Sequence, residues 1–267
     1  MMTAIALAQV ATDARGGRAG MLDVAARMAD EAAGAGASLI CFPEQFVIGW
    51  SPDVSPGAGE PLDGPLAKAF GRIAERCGIA VAGSIIQSSG GCRPKNTVVV
   101  LGADGELMAS YAKIHLFSPD GEDRAYEAGD RIDTFILDGM VFGLAVCYDL
   151  RFPELFRIYA LAGAECVLVP AAWPSSRLSH WETLLPARAL ENRYYVAGVN
   201  TAGMPGGAYS GGSLAADPDG AIIGRCGAGE RLIVVEVDPA AVHVARSRLP
   251  SLSDRRSDLY LRLLSRL

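Results

Sequence analysis

Glu44, Lys113 and Cys147 stand just past three apolar runs and carry three different chemistries. A carboxylate can take a proton, an ammonium can hold developing negative charge, and a thiol, once ionised, attacks carbon. Together they make a candidate nucleophilic site. The sharpest of the three positions is Cys147. Residues 141–146 (VFGLAV) form a nearly unbroken apolar run that reads as a strand buried on both faces, and the chain turns polar at once through Tyr148, Asp149 and Arg151. Pro153 suits the first turn of a helix, because its missing N–H would have no intrahelical partner there. Residues 153–162 are therefore predicted helical, stopped by Gly163. The unpaired N–H groups and partial positive charge of a helix start favour a thiolate.

The other two residues repeat this arrangement. Residues 37–42 read as a buried strand followed by Pro43-Glu44, and residues 107–111 as a short strand followed by Lys113 and then His115. In open α/β sheets ligands collect beyond the carboxyl ends of strands, so three such loops can converge on one pocket. Taken singly, each residue has a commoner use: a core thiol, a helix-start carboxylate, a solvated lysine. Three coincident strand ends favour a joint site. His115 and His180 offer a rival, a Cys–His arrangement. His180, in the first turn of a predicted helix, reads better as a capping or packing residue.

Around these loops the hydropathy pattern predicts a strand over 4–10, a helix over about 20–35 and a long Pro-, Gly- and Ser-rich loop over 49–64, of the kind that covers active sites. A helix over 65–76 and a strand over 80–86 follow. Strands 96–101 and 107–111 flank the turn Ala103-Asp104-Gly105, and strands 133–137 and 141–146 flank Asp138-Gly139, two hairpin signals. The segment 118–130 is polar and reads as irregular. Beyond the Cys147 helix come strand 166–170, its exit loop Ala171–Pro174, and a helix over 179–192 with Ser179 as its cap and Glu182 completing a capping box. Strand 195–200, a mobile-looking stretch 203–212, strands 213–216, 221–225 and 231–237, and a helix over 240–248 complete the chain. The tail then carries Arg255, Arg256, Arg262 and Arg266. The hairpins interrupt the strand–helix alternation, so the sheets should be mixed rather than purely parallel. No composition break or repeat divides residues 1–267, which read as one domain.

Size and composition exclude several classes. Half of the 267 residues are hydrophobic and 20% are charged, a globular balance. The net charge of −6 and the lack of a dense basic run argue against a nucleic-acid partner. No apolar stretch is long enough to span a bilayer, and the first ten residues read as a strand rather than a leader, so a cytoplasmic location is expected. The six cysteines include no C-x-x-C pair and only three histidines accompany them, so neither a metal site nor a disulfide framework is expected. Cys41 and Cys166 fall within apolar strands and should be core. With no G-x-S-x-G, G-x-G-x-x-G or Walker A motif, no cofactor is expected either.

The segments FPEQF around Glu44, YAKIHLF around Lys113, GEDRAYEAGD after it, and CYDLRFPE around Cys147 together resemble the nitrilase, or carbon–nitrogen hydrolase, superfamily. The likeness runs through nearly the whole chain to RRSDLY. It implies a four-layer α-β-β-α sandwich with two mixed β-sheets, and a homo-oligomer paired through helices near the cysteine and the tail. It also implies hydrolysis of non-peptide C–N bonds: Cys147 as nucleophile, Glu44 as general base and acid, and Lys113 with the backbone N–H of Tyr148 holding the oxyanion. The resemblance adds Glu122, of GEDRAYEAGD, to position Lys113 and the substrate amide.

Residues 170–200 resemble the omega-amidase-like branch, whose members release ammonia from small dicarboxylic acid monoamides. A deaminated-glutathione-type amidase and an N-carbamoyl amide hydrolase are the enzymic alternatives, and a catalytically silent small-molecule binder is the non-enzymic one. A substrate of the first kind carries a carboxylate far from its amide. Arg177 can grip that group in two hydrogen bonds, and Trp173, stiffened by Pro174, can wall the methylenes. The expected partner is a small-molecule amide.

Overall fold

The computed structural model describes residues 2–266 apart from 13–15, 53, 56–58, 92 and 204–206. Two six-stranded sheets stack face to face. In the first, β1 (Thr3–Gln9), β2 (Leu39–Cys41) and β3 (Ala80–Gln87) run parallel at the centre, with β4 (Lys95–Leu101) and β5 (Leu107–Ala112) antiparallel on one side and β12 (Arg231–Val237) antiparallel on the other. The second has the same plan: parallel β7 (Met140–Leu144), β8 (Cys166–Ala171) and β9 (Tyr195–Asn200), flanked by β6 (Thr134–Leu137), β10 (Leu214–Ala216) and β11 (Ile222–Arg225). With helices outside, this is the four-layer α-β-β-α sandwich of mixed sheets that the motifs implied.

Side-chain alternation assigns the layers, since successive strand residues face opposite ways. In the first sheet Ile5, Leu7, Leu39, Cys41, Val98 and Val100 face the second sheet. Ala6, Ala8, Ile40 and Val99 face outward onto α1 (Gly17–Gly34) and α2 (Pro65–Cys77), through Met21, Ala25, Met28 and Phe70. Each buried Val, Leu or Ile contributes about 1.5–3 kcal/mol relative to exposure, so both faces of these strands must be covered. On the second sheet, α4 (Pro153–Leu161) and α5 (Leu178–Asn192) approach so closely that glycine is required beneath each. A Cβ on Gly143 would lie 2.6 Å from the Tyr159 ring, and one on Gly198 2.4 Å from Leu185.

Four sequence expectations change in detail. The apolar run at 141–146 leaves the sheet at Leu144, and Cys147 opens a separate 3-10 turn, Cys147–Arg151, ahead of α4. The polar stretch 118–130 contains a 3-10 turn, Ser118–Asp120, and a one-turn helix α3 (Glu122–Ala125). Ser179 does not cap α5: a 3-10 turn, Ser175–Arg177, feeds straight into the helix, and Ser179 lies inside it with its carbonyl accepting from Thr183. Glu182 pairs instead with Arg225. The tail after α6 (Pro239–Arg248) folds into a further helix, α7 (Ser257–Leu264). Parts of the 49–64 loop and of the 203–212 stretch lie outside the described residues. Cys41 and Cys166 are core, as expected.

Candidate active site

The three strand-end residues meet. Glu44 follows β2, Lys113 follows β5 directly, and Cys147 follows β7, so the first sheet delivers the two ions and the second the thiol. Lys113 is 1% exposed. Its Nζ donates to Glu44 Oε1 at 2.9 Å and to Glu122 Oε1 and Oε2 at 3.0 and 2.8 Å. Glu122 is in reach because α3 begins there, and the Phe117 N–H holds its Oε2 at 2.6 Å.

Asn96, a residue the sequence did not single out, bridges the two carboxylates. Its Nδ2 donates to Glu44 Oε1 at 2.7 Å and to Glu122 Oε1 at 3.1 Å, while its Oδ1 accepts from Ser84 at 3.2 Å. Only strand register could have revealed it. The Lys113 N–H bonds to the Asn96 carbonyl across β4 and β5, placing Asn96 beside the lysine.

Electrostatics follow from this burial. Burial would lower the Lys113 pKa, but Glu44, Cys147 and Glu122 outweigh it and raise the pKa, so the residue is an ammonium at neutral pH. As an ammonium it can hold developing negative charge but cannot take a proton. Cys147 is pushed well above the usual thiol range by burial and then by Glu44, with Lys113 pulling the other way. The helix-start effect expected from the sequence does not dominate, and the resting group is a neutral thiol that needs a base. A carboxylate able to take the proton is adjacent, because the thiol hydrogen-bonds to Glu44. Glu44 Oε1 is engaged by Lys113 and Asn96, whereas Oε2 accepts the Ala172 N–H at 3.0 Å and is the less crowded oxygen among the described residues. A lone pair on Oε2 can therefore take the thiol proton.

The backbone is left-handed at two non-glycine positions here, Gln45 (φ 47°) and Cys147 (φ 47°). Each such residue costs about 1–3 kcal/mol and persists only where its surroundings hold it. Gln45 donates to Tyr126 Oη at 3.1 Å, and Tyr126 in turn donates to the Ser51 carbonyl. The Tyr148 N–H lies in the first step of the 3-10 turn, where backbone donors lack intrahelical partners.

A cavity of about 70 Å³ opens over Cys147 and Lys113, and all three predicted substrate-side residues, Tyr148, Trp173 and Arg177, line it. Trp173 is held by its N–H to Asn200 Oδ1 at 2.7 Å and by its Nε1 to the Arg177 carbonyl at 2.8 Å. The sequence reading missed Arg151, whose guanidinium lies 4.7 Å from the Trp173 ring centroid. Arg177 sits similarly over Phe117 at 5.2 Å. Burial and then the neighbouring Arg177 charge lower the Arg151 pKa. Neither guanidinium has a carboxylate partner among the described residues.

Trp50, Asp120 and Tyr209 complete the walls. The Trp50 indole N–H is buried with no partner among the described residues. Burial, with Glu44, Cys147 and Asp120 nearby, pushes the Tyr209 phenol up to about 12. Neither His115 nor His180 lines the cavity: His115 Nδ1 is engaged by Asp149 and exposed His180 contacts Arg151, which gives the rival Cys–His arrangement no support.

The charge pattern predicts how the site responds to losing its cation. Lys113→Met would leave Glu44 and Glu122 buried around Asn96 with no positive charge. Breaking such a buried pair costs about 3–5 kcal/mol. Urea unfolding should show that loss, and single-turnover thioester formation should slow more than thioester hydrolysis. An unchanged unfolding midpoint with normal acylation would contradict the role of Lys113.

A sandwich of two mixed sheets with a buried Glu–Lys–Cys cluster at its strand ends defines a class of thiol-bearing hydrolase folds, and comparison with known proteins gives the family. The carbon-nitrogen hydrolase family model matches residues 4–247, and the chain belongs to that family as a hydrolase of carbon–nitrogen bonds. The human omega-amidase NIT2 is 32% identical over 240 residues, covering 86% of this chain and 87% of the relative. A Mycobacterium tuberculosis protein known as hydrolase Rv0480c is 36% identical over 271 residues, covering 94% and 95%. Among solved structures, a CN-hydrolase superfamily protein from Xanthomonas campestris with an arsenic adduct in its active site superposes with a TM-score of 0.88 at 31% identity, covering 96% of this chain and 98% of the other. A glutamate-to-glutamine mutant of the amidase from Nesterenkonia sp. AN1, whose active-site cysteine has added acrylamide, superposes with a TM-score of 0.85 at 31% identity, covering 98% and 99%. The relatives support an amidase of the omega-amidase-like branch.

Proposed function

We propose that this amidase releases ammonia from the side-chain amide of a small dicarboxylic acid monoamide, through a thioester on Cys147. The observation that carries the reading is the pair of guanidiniums, Arg151 and Arg177, with no carboxylate partner among the described residues, on the walls of a small cavity that also meets Cys147 and Lys113. Two like charges held together in a half-buried pocket repel each other, and a carboxylate between them relieves that repulsion. Guanidinium is also the side chain best shaped to grip one. The Trp50 N–H, without a partner among the described residues, adds a donor, so the walls suit a ligand rich in acceptor oxygens.

The chemistry then runs in two halves. Glu44 takes the Cys147 proton as sulfur attacks the amide carbon, and the oxyanion forms against Lys113 Nζ and the Tyr148 N–H. The intermediate collapses by breaking the C–N bond, and Glu44 returns its proton to the departing ammonia. Water attacks the thioester with Glu44 again as base, releasing the acid and restoring the thiol.

Arg177→Ala and Arg151→Ala should each raise KM for carboxylate-bearing amides at least tenfold, about 1.4 kcal/mol. Neutral amides of equal length should be affected far less. Ammonia release measured across paired charged and neutral amides tests this. Equal losses on both would mean that the arginines support the loops, and the substrate class would fall.

A further inference from the structure

Asp149 is fully buried, and the reaction as described makes no use of it. Its two oxygens accept four hydrogen bonds. Oδ2 takes the Tyr111 hydroxyl at 2.8 Å and the Val146 N–H at 2.8 Å. Oδ1 takes the His115 N–H at 2.9 Å and the His115 ring at Nδ1, 2.7 Å away. A carboxylate only accepts, so Nδ1 carries the hydrogen in that bond. The imidazole is held flat on Phe152, with centroids 3.7 Å apart and planes 7° apart.

The positions of these donors matter more than their number. Tyr111 and His115 flank Lys113 by two residues on either side, at the end of β5 and in the loop that leaves the first sheet there. Val146 precedes Cys147 and Asp149 follows it by two, where the chain leaves the second sheet after β7. One carboxylate therefore ties the lysine's loop to the nucleophile's turn, across the gap between the sheets. It also grips the peptide N–H immediately before Cys147, whose left-handed φ of 47° needs an external hold.

We propose that Asp149 is a positioning residue that sets the separation of Cys147 from Lys113, and that His115 orients its carboxylate for that task. This rests on the reading of Cys147 as nucleophile. Neither residue touches substrate. Their effect passes through the placement of the sulfur and the ammonium, where an error of about 1 Å can cost on the order of 10²-fold in rate.

Substitution chemistry makes the proposal specific. Asp149→Asn keeps the shape but turns one oxygen into a donor. Whichever way the amide lies, it faces a backbone N–H, that of Val146 or of His115, which cannot reverse its role. His115→Asn puts an amide N–H near the place of Nδ1, whereas His115→Leu supplies none. Tyr111→Phe removes one donor of the four.

The test measures single-turnover acylation by an amide substrate alongside the rate at which iodoacetamide alkylates Cys147, located by peptide mass mapping. Expected losses in acylation are about 100-fold for Asp149→Asn, about tenfold for His115→Leu and about threefold for Tyr111→Phe, graded by how far each loosens the turn. KM should stay within about threefold throughout, since the substrate contacts are untouched. His115→Asn should recover most of what His115→Leu loses, and alkylation should follow the same order.

Equal rates for the Asn and Leu variants at His115, or wild-type acylation and alkylation in both His115→Leu and Tyr111→Phe, would overturn the proposal. If Asp149→Asn fails to fold, the His115 pair decides alone. Should the wild-type protein release ammonia from no amide tested, the alkylation series still reads the grip on Cys147. Failure of the substrate assignment and failure of the positioning role are thus told apart.

Discussion

Cys147→Ala is expected to abolish ammonia release, by at least about 10⁴-fold, while leaving the fold intact. The nucleophile is lost outright, and no other thiol among the described residues lines the cavity. The folded state should barely notice. Alanine tolerates the left-handed backbone at this position no better and no worse than cysteine does, so the local strain is unchanged, and one sulfur is lost from a half-buried site. Stability should stay within about 1 kcal/mol, the range of mild substitutions. Cys147→Ser should be nearly as inactive for a separate reason. Glu44 must deprotonate a thiol already pushed up by burial and by its own charge, and a hydroxyl is a far weaker acid than a thiol. Intact-protein mass spectrometry after rapid quench should show an acyl adduct on the wild type and none on Cys147→Ala. Near-normal turnover by a correctly folded Cys147→Ala protein would sink the mechanism.

Glu44→Gln comes second, with an expected fall in kcat of about 10²–10⁴-fold, the range supplied by a positioned general base. Its amide cannot accept the thiol proton. The oxygen of the new side chain is needed by Lys113 and Asn96, so its NH₂ faces the Ala172 N–H and the thiol. Both halves of the reaction use Glu44, so thioester formation and thioester hydrolysis should slow together. Lys113→Met, in contrast, should fall mainly on formation. Stability offers a second contrast. Glu44→Gln leaves Lys113 paired with Glu122, a buried cluster with no net charge, whereas Lys113→Met leaves two bare carboxylates. The urea midpoint should move little for the first and strongly for the second. A Glu44→Gln enzyme with normal acylation would assign the base to another group.

The convergence of Glu44, Lys113 and Cys147 was legible because a run of apolar residues ending abruptly is a strong signal, and the chain does so before each of them. Other features depend on pairings that no local pattern encodes. Asn96 opens an apolar strand and looks like a strand-start residue until β4 and β5 are set in register. Arg151 lay in view within the CYDLRFPE segment, but its place over Trp173 depends on a 3-10 turn that separates strand from helix. The hydropathy pattern gives residues 147–152 only a polar connection without a structure of its own. The Ser179 capping box failed for a related reason. The spacing of Ser179 and Glu182 was right, yet the preceding turn already supplied the helix start. Among the tail residues the arginines masked the short apolar repeat of α7.

The division of the site between the sheets has a consequence for the molecule as a whole. Glu44, Lys113 and Asn96 are carried by strands of the first sheet and their exits, with Glu122 on α3 in the segment that follows β5, and the sulfur and the two guanidiniums follow strands of the second. Neither half-molecule contains a reactive centre, so activity comes into being only when the two halves dock. Docking also encloses an ammonium and two carboxylates that water would otherwise solvate, a cost that the apolar faces of the two sheets must offset. Catalytic competence thus becomes a readout of whether the two sheets are joined.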